Sequence, residues 1–381
     1  MINQITLKNF KAFQEASIEL SNLNLFTGIN GVGKSSFIQS LLLLRQSHLD
    51  RQLPEQIMLN HDKYVRLGKS QDVFNIYAAE DDILSISLKT TLNPSIQTEV
   101  KAFVNKTFLQ VTQFKPTSWA DVNIESLFNN NFQYLYAERE APKENFPVDQ
   151  YSIEVLRSLG SKGQYTAHYI AKYQAEKVKL PSLIDNTAIT DTLLAQIDAW
   201  LSKITKGVRL VPELYEDLGI SRLSYQFADN DDLTPAFSPV NVGFGFTYVL
   251  PVITAVLSAK PGDLIIIENP ESHLHPGGQA QIGRMLALAA QDGVQIILET
   301  HSDHVLNGIR VATKHYHQAP ENDRIGKGID YEKVKIFFFE RQTSQHTTQI
   351  VPIKVDKKGR LSAWPKSFFD EWSNMLDELL D

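Results

Sequence analysis

Residues 28–35 read Gly28-Ile29-Asn30-Gly31-Val32-Gly33-Lys34-Ser35, and this stretch decides the fold. It fits G-x-x-x-x-G-K-[ST] in full. It follows a strand-like run, Asn22–Thr27, and opens a helical pattern carrying Phe37, Ile38, Leu41, Leu42, Leu44 and Leu49. The three glycines let the backbone curl with its amides turned inward, and those amides together with a helix N-terminus hold phosphate oxygens. Lys34 is placed for the β and γ phosphates, and the Ser35 hydroxyl for Mg²⁺. Asn30, Gly31, Val32, Gly33, Lys34, Ser35 and Ser36 are the expected nucleotide contacts, with ATP and Mg²⁺ as cofactors. Gly31-Val32-Gly33 lacks the third glycine that a dinucleotide fingerprint needs.

Outward from the loop, residues 2–10 and Ser17–Leu20 read as strands. Ile83–Thr91, Gln97–Val104 and Phe108–Phe114 alternate as β strands, Ile189–Ile204 is an amphipathic helix, and 208–226 returns to strand. From 240 an α/β block resumes. Thr247–Ala259 and Gly278–Ala290 are expected helices. Leu264–Ile267 and Ile296–Leu298 are unbroken apolar runs, typical of parallel strands covered on both faces. Strands near 333–340 and 347–355, a Lys357-Lys358-Gly359 turn and a helix over Phe368–Leu380 complete the reading.

The 381 residues allow two to three structural units. Lys plus Arg total 37 and Asp plus Glu 44, a net charge of −7, which argues against a bulk-basic nucleic-acid coat but leaves a local basic groove open. The absence of cysteine excludes disulfides, thiolate zinc, iron–sulfur clusters and a cysteine nucleophile. With no long apolar run and no signal-peptide core at Met1–Phe10, the expectation is a cytoplasmic protein without a membrane partner.

Further motifs lie in the second half. Leu264–Ile267 runs into Glu268-Asn269-Pro270-Glu271, and a carboxylate at such a strand end holds the Mg²⁺ water shell in phosphate-loop enzymes. His273, His275, His301 and His304 stand at spacings that leave a metal site open. Asn241–Pro251 (Asn-Val-Gly-Phe-Gly-Phe-Thr-Tyr-Val-Leu-Pro) places two glycines before a helix. Pro251 is expected in the first turn, and the Thr247 hydroxyl with the free amides would form an anion-binding end.

Taken in order, these motifs resemble the ABC-type ATPase superfamily in its SMC/RecF/OLD-like branch. Met1–Gln14 with 28–35 resembles the strand, N-F-K-x-F, strand, Walker A opening. Asn241–Pro251 resembles the divergent signature V-G-F-G-x-S-x-x-L-P, with Thr247 replacing Ser. Glu268–Pro276 resembles Walker B and the D-loop, and Glu299–Ser302 the switch-histidine strand. Tyr134–Arg139 and Ala363–Asp370 resemble one uncharacterised subfamily with a short C-terminal domain. The resemblance implies that Gly243, Gly245 and Thr247 serve a neighbouring subunit's ATP and that His301 touches the γ-phosphate. Gln71 would be the Q-loop residue, sharing Mg²⁺ with Ser35 and Glu268. Most relatives read Asp-Glu where this chain has Glu268-Asn269, which leaves Glu271 as the nearby carboxylate able to act as base and implies slow hydrolysis.

The expected architecture is α/β: a P-loop NTPase with an ABC-type core, a mixed α+β insertion and a short C-terminal hairpin plus helix. Residues 1–80 carry the first part of the core, 81–234 the insertion, 235–330 the rest of the core and 331–381 a small C-terminal domain. The resemblance implies an ATP-dependent homodimer that regulates a separately encoded effector in anti-phage defence or toxin control. The alternative is an ATPase acting directly on nucleic acid in repair or chromosome maintenance.

Overall fold

The computed structural model describes residues 1–79, 81–92, 95–101, 106–116, 119–229, 232–341, 346–365 and 371–380. They fall into two units interleaved along the chain, one of residues 1–131, 335–354 and 361–381, the other of 132–334 and 355–360.

The first unit begins with β1 (Ile2–Phe10), β2 (Phe13–Glu19) and β3 (Leu23–Gly28), followed by α1 (Lys34–Leu49). Then come β4 (Gln56–Met58), β5 (Leu84–Thr90), β6 (Ile96–Lys101), β7 (Phe108–Lys115) and α2 (Trp119–Asn123). β2-β1-β5-β6-β7-β4 form an antiparallel sheet, in which Ile5, Leu7, Ile86, Leu88, Ile96 and Val100 alternate inward. The alternating stretch at 83–115 is β5, β6 and β7, of which β5 pairs with β1 and the others follow in turn. Residues 102–104 of the expected Gln97–Val104 strand lie outside the described residues.

The second unit opens with β8 (Phe132–Leu135) and β9 (Phe146–Pro147), then α3 (Thr166–Tyr173), α4 (Leu193–Ser202), β10 (Val208–Tyr215), β11 (Ile220–Asp229) and β12 (Asp232–Leu233). α5 (Phe244–Leu257), β13 (Leu264–Glu268), α6 (Pro276–Gln291), β14 (Gln295–Glu299) and α7 (Asp303–Gln318) follow. β8, β13 and β14 are parallel, in the order β14-β13-β8, and every residue of β13 and β14 is buried. β8 comes from the stretch expected to be inserted, yet it supplies a strand to this parallel sheet. α4 begins at Leu193 rather than Ile189, because Thr192 is extended and bridges Lys177.

The chain then returns to the first unit with β15 (Val334–Arg341), β16 (Thr348–Ile353) and α8 (Glu371–Leu380). β15 lies between β16 and β3. Phe13, Phe26, Phe37, Phe337 and Phe339 interlock edge to face with ring centroids 5.2–6.4 Å apart, packing α1 against β3 and the hairpin. Residues 366–370, the end of the Ala363–Asp370 likeness and part of the expected C-terminal helix, lie outside the described residues. Among the described residues no helix is long and apolar enough to cross a membrane.

Candidate functional site

The phosphate loop belongs to the first unit. β3 is buried throughout and delivers the chain to Gly28, and Gly33, at φ 102°, caps α1. Gly31, at φ 76°, has open space where a side chain would stand. Ile29, Asn30 and Gly31 are exposed, Val32 is buried, and Ser35 and Ser36 are half-buried on the first turn of α1. Lys34 is buried, and its ammonium donates to the carbonyls of Gly28 at 2.9 Å and Ile29 at 2.8 Å. A cation at a glycine-rich loop that opens a helix is a fit for polyphosphate. Gln71, by contrast, is exposed on a single 3-10 turn, Ser70–Asp72.

The acidic motif belongs to the second unit. Glu268 ends β13 and is buried, with Tyr134 of β8 donating its hydroxyl to Oε1 at 2.7 Å. Burial and the Glu299 carboxylate, its register partner on β14, push the Glu268 carboxyl up to about 7, against the pull of Tyr134 and Arg139. The Arg139 guanidinium, only 2% exposed, donates to the main-chain carbonyls of Glu268 at 2.7 Å and Asn269 at 2.9 Å. Burial lowers its own pKa to about 10. These bonds hold the chain where it turns out of the sheet. Asn269 sits there in the left-handed region, φ 45°, with its N–H on the Glu299 carbonyl at 2.9 Å. The Asn269 side-chain oxygen is buried and has no hydrogen-bond partner among the described residues.

Glu271 and His301 are brought together, the His301 N–H donating to Glu271 Oε1 at 2.9 Å. Burial raises the Glu271 carboxyl. The other histidines have separate tasks: His273 packs edge-on against Tyr248 with centroids 4.5 Å apart, His275 caps α6 by accepting from the Gly277 N–H, and His304 lies 3.6 Å from Asp303. Among the described residues no three His, Cys, Asp or Glu side chains cluster as a metal site. A Mg²⁺ ion held by a hydroxyl, a carboxylate and phosphate oxygens needs no such cluster. Ser35, on the first turn of α1, offers a hard oxygen donor of the required type.

The signature segment is placed differently from the sequence reading. α5 starts at Phe244 with Gly243 as its cap, one turn earlier than Thr247. Thr247 is therefore buried beside Tyr225, and the helix end is presented by exposed Gly243 and Phe244 and half-buried Gly245. Pro251 lies inside the helix, not in its first turn. Three residues that the sequence did not assign to the site, Tyr134, Arg139 and Glu299, surround the acidic motif of the second unit. Glu299 had a signal in the Glu that opens the switch-histidine motif, whereas Tyr134 and Arg139 are brought in by the pairing of β8 with β13.

The family described as "AAA domain, putative AbiEii toxin, Type IV TA system" matches residues 116–307. An AAA ATPase domain family matches residues 1–186, and a family of unknown function, DUF3696, matches 329–379. The DNA replication and repair protein RecF of Halothermothrix orenii is 25% identical over 239 residues, covering 56% of this chain and 60% of RecF. The chain thus aligns with less than two thirds of that relative. Two solved SMC heads share the fold. One, bound to the C-winged helix domain of ScpA, has TM-score 0.54 at 12% identity and covers 93% of this chain and 99% of that one. The other, bound to the C-terminal domain of ScpA derived from Pyrococcus furiosus, has TM-score 0.51 at 11% identity, covering 100% and 99%. The chain belongs to the AAA-domain family matched at residues 116–307, and it is a P-loop ATPase that shares the fold of the two SMC heads.

Proposed function

We propose that this ATPase is a slow, ATP-gated cytoplasmic switch: it binds Mg-ATP, closes as a homodimer and regulates a separately encoded effector in anti-phage defence or toxin control. Bound Mg-ATP would supply the phosphoanhydride to be cleaved and the charge neutralisation at its oxygens. Lys34 and the amides of 30–36 hold phosphate, and Ser35, Glu268 and Gln71 are the candidate metal ligands. Glu271 and His301 act on the attacking water. Gly243, Gly245 and, from beneath, Thr247 shape the helix end offered to a neighbour.

One observation carries the slow-switch reading. The residue after the acidic strand is an amide, Asn269, which can orient water but cannot take its proton. Glu271, the substitute carboxylate, is already engaged by the His301 N–H and raised by burial. Steady-state hydrolysis, with size exclusion in the presence and absence of ATP, tests this. Turnover of roughly 10 per second or faster, or a protein that stays monomeric with ATP, sinks it.

The RecF match favours a second reading, direct action on DNA. In the densest basic stretch, 354–360, Arg360 is already paired with Asp356 at 2.7 Å, leaving few cations for phosphate. Salt-sensitive DNA binding that strengthens with ATP would favour this reading over the first.

A further inference from the structure

The two arms of the C-terminal hairpin meet the phosphate loop at its two ends. In the hairpin Phe339 of β15 pairs with Ile350 of β16, and Arg341 with Thr348. Gly28, the first residue of the loop, has φ 140°, and a Cβ there would stand 2.2 Å from the Phe339 carbonyl oxygen, so β15 closes directly on the loop. At the other end a Cβ on Gly33 would meet Thr348 Oγ1 at 2.9 Å and the Ala12 Cβ at 3.1 Å. The Thr348 hydroxyl donates to the Val32 carbonyl, while its own N–H donates to the Ala12 carbonyl at 2.9 Å. Thr348 is therefore fixed by its backbone to the turn after β1 and by its side chain to the loop.

We propose that Thr348 is a positioning residue for phosphate binding, acting through the Val32–Gly33 peptide. In a trans peptide the C=O and N–H point in opposite directions. Holding the Val32 carbonyl on Thr348 turns the Gly33 N–H to the opposite side of the loop, where an anion needs donors. Released, this peptide can rotate cheaply, because Gly33 has no Cβ to resist. It would then present a carbonyl oxygen to the phosphate. A free carbonyl at that point costs twice, by the lost donor and by repulsion. The nucleotide motif itself does not contain this tether; it arrives from 316 residues further along the chain.

The inference rests on the loop being the nucleotide site, so Lys34→Ala is the control. Mg-ATP affinity is measured by calorimetry, and the ATP-induced rise in melting temperature is read for the same proteins. Thr348→Val, which keeps shape but loses the donor, should bind Mg-ATP about tenfold more weakly, the size of one hydrogen bond in a polar site. Thr348→Ser, which keeps the donor, should bind within about twofold of wild type. A wild-type affinity in Thr348→Val while Lys34→Ala has lost binding overturns the positioning role alone. So does a Thr348→Ser variant as weak as Thr348→Val, since packing rather than the hydroxyl would then matter. Undiminished binding in Lys34→Ala overturns the nucleotide-site reading and this inference with it.

Discussion

Tyr134 donates its hydroxyl to Glu268 Oε1 at 2.7 Å across neighbouring parallel strands. The bond solvates a carboxylate that burial would otherwise neutralise. Tyr134→Phe should destabilise the nucleotide-free protein by about 1–3 kcal/mol at pH 8, where Glu268 is ionised. At pH 5.5 the carboxyl is protonated and the cost should shrink to about 1 kcal/mol or less. Thermal melts in EDTA at both pH values check this; equal losses would show that the tyrosine serves packing alone.

Asn269 is the point at which hydrolysis should respond to a carboxylate. Its φ of 45° tolerates Asn and Asp but strains longer side chains. Asn269→Asp should therefore raise turnover, within the 10²–10⁴ range that general-base help provides. Asn269→Glu should raise it less, and Glu271→Gln should lower it. A phosphate-release assay under saturating ATP reads all three. No response to Glu271→Gln would remove that residue from the reaction.

Phe244 offers a cleaner probe of assembly than Thr247. Thr247→Arg would force a cation into the core beside Tyr225 and should unfold the protein. Phe244 is 54% exposed at the N-terminus of α5. Phe244→Glu should leave the monomer as stable or slightly more so, because a carboxylate favours a helix N-terminus. It should nonetheless weaken ATP-driven dimerisation by repelling a neighbour's γ-phosphate. Ultracentrifugation with ATP decides; an unchanged dimer would place the subunit contact elsewhere.

Asp198, on α4, supplies a pH test. Burial raises its carboxyl from the ordinary 3.8 to about 6, although one oxygen accepts the Leu210 N–H at 2.9 Å. The folded state thus binds this proton more tightly than the unfolded chain. The stabilisation is complete below about pH 4, is lost as pH rises through 6, and is constant thereafter. Asp198→Asn should gain on wild type across that window, by about 3 kcal/mol at most. Denaturant melts at pH 4, 5, 6 and 8 measure the difference; a gain that does not grow with pH would contradict it.

What the sequence made legible was local. The loop, the strand it follows, the buried runs at 264–267 and 296–298 and the motif order all sit in contiguous patterns. α7 carries a local signal of the same kind, Val305, Leu306, Ile309 and Ala312 behind the Ser302 cap. The rest depended on pairing between distant segments. Nothing in Phe132–Leu135 announces that it lies beside β13, so Tyr134 and Arg139 could not be assigned to Glu268 and Asn269. Thr247 was misplaced by a single helical turn, enough to carry its hydroxyl from the helix end into the core.

The hairpin that grips the phosphate loop has a consequence for how the protein is made. Gly28 to Ser35 leave the ribosome early, but Thr348 follows Val32 by 316 residues. At translation rates of 5–20 residues per second that gap lasts about 16–60 s. Through that interval the nascent chain carries an intact nucleotide motif without the strand that shapes it. Full affinity for ATP would then wait until residue 348 is made, and a chain truncated before it keeps the whole glycine-rich sequence yet lacks its clasp.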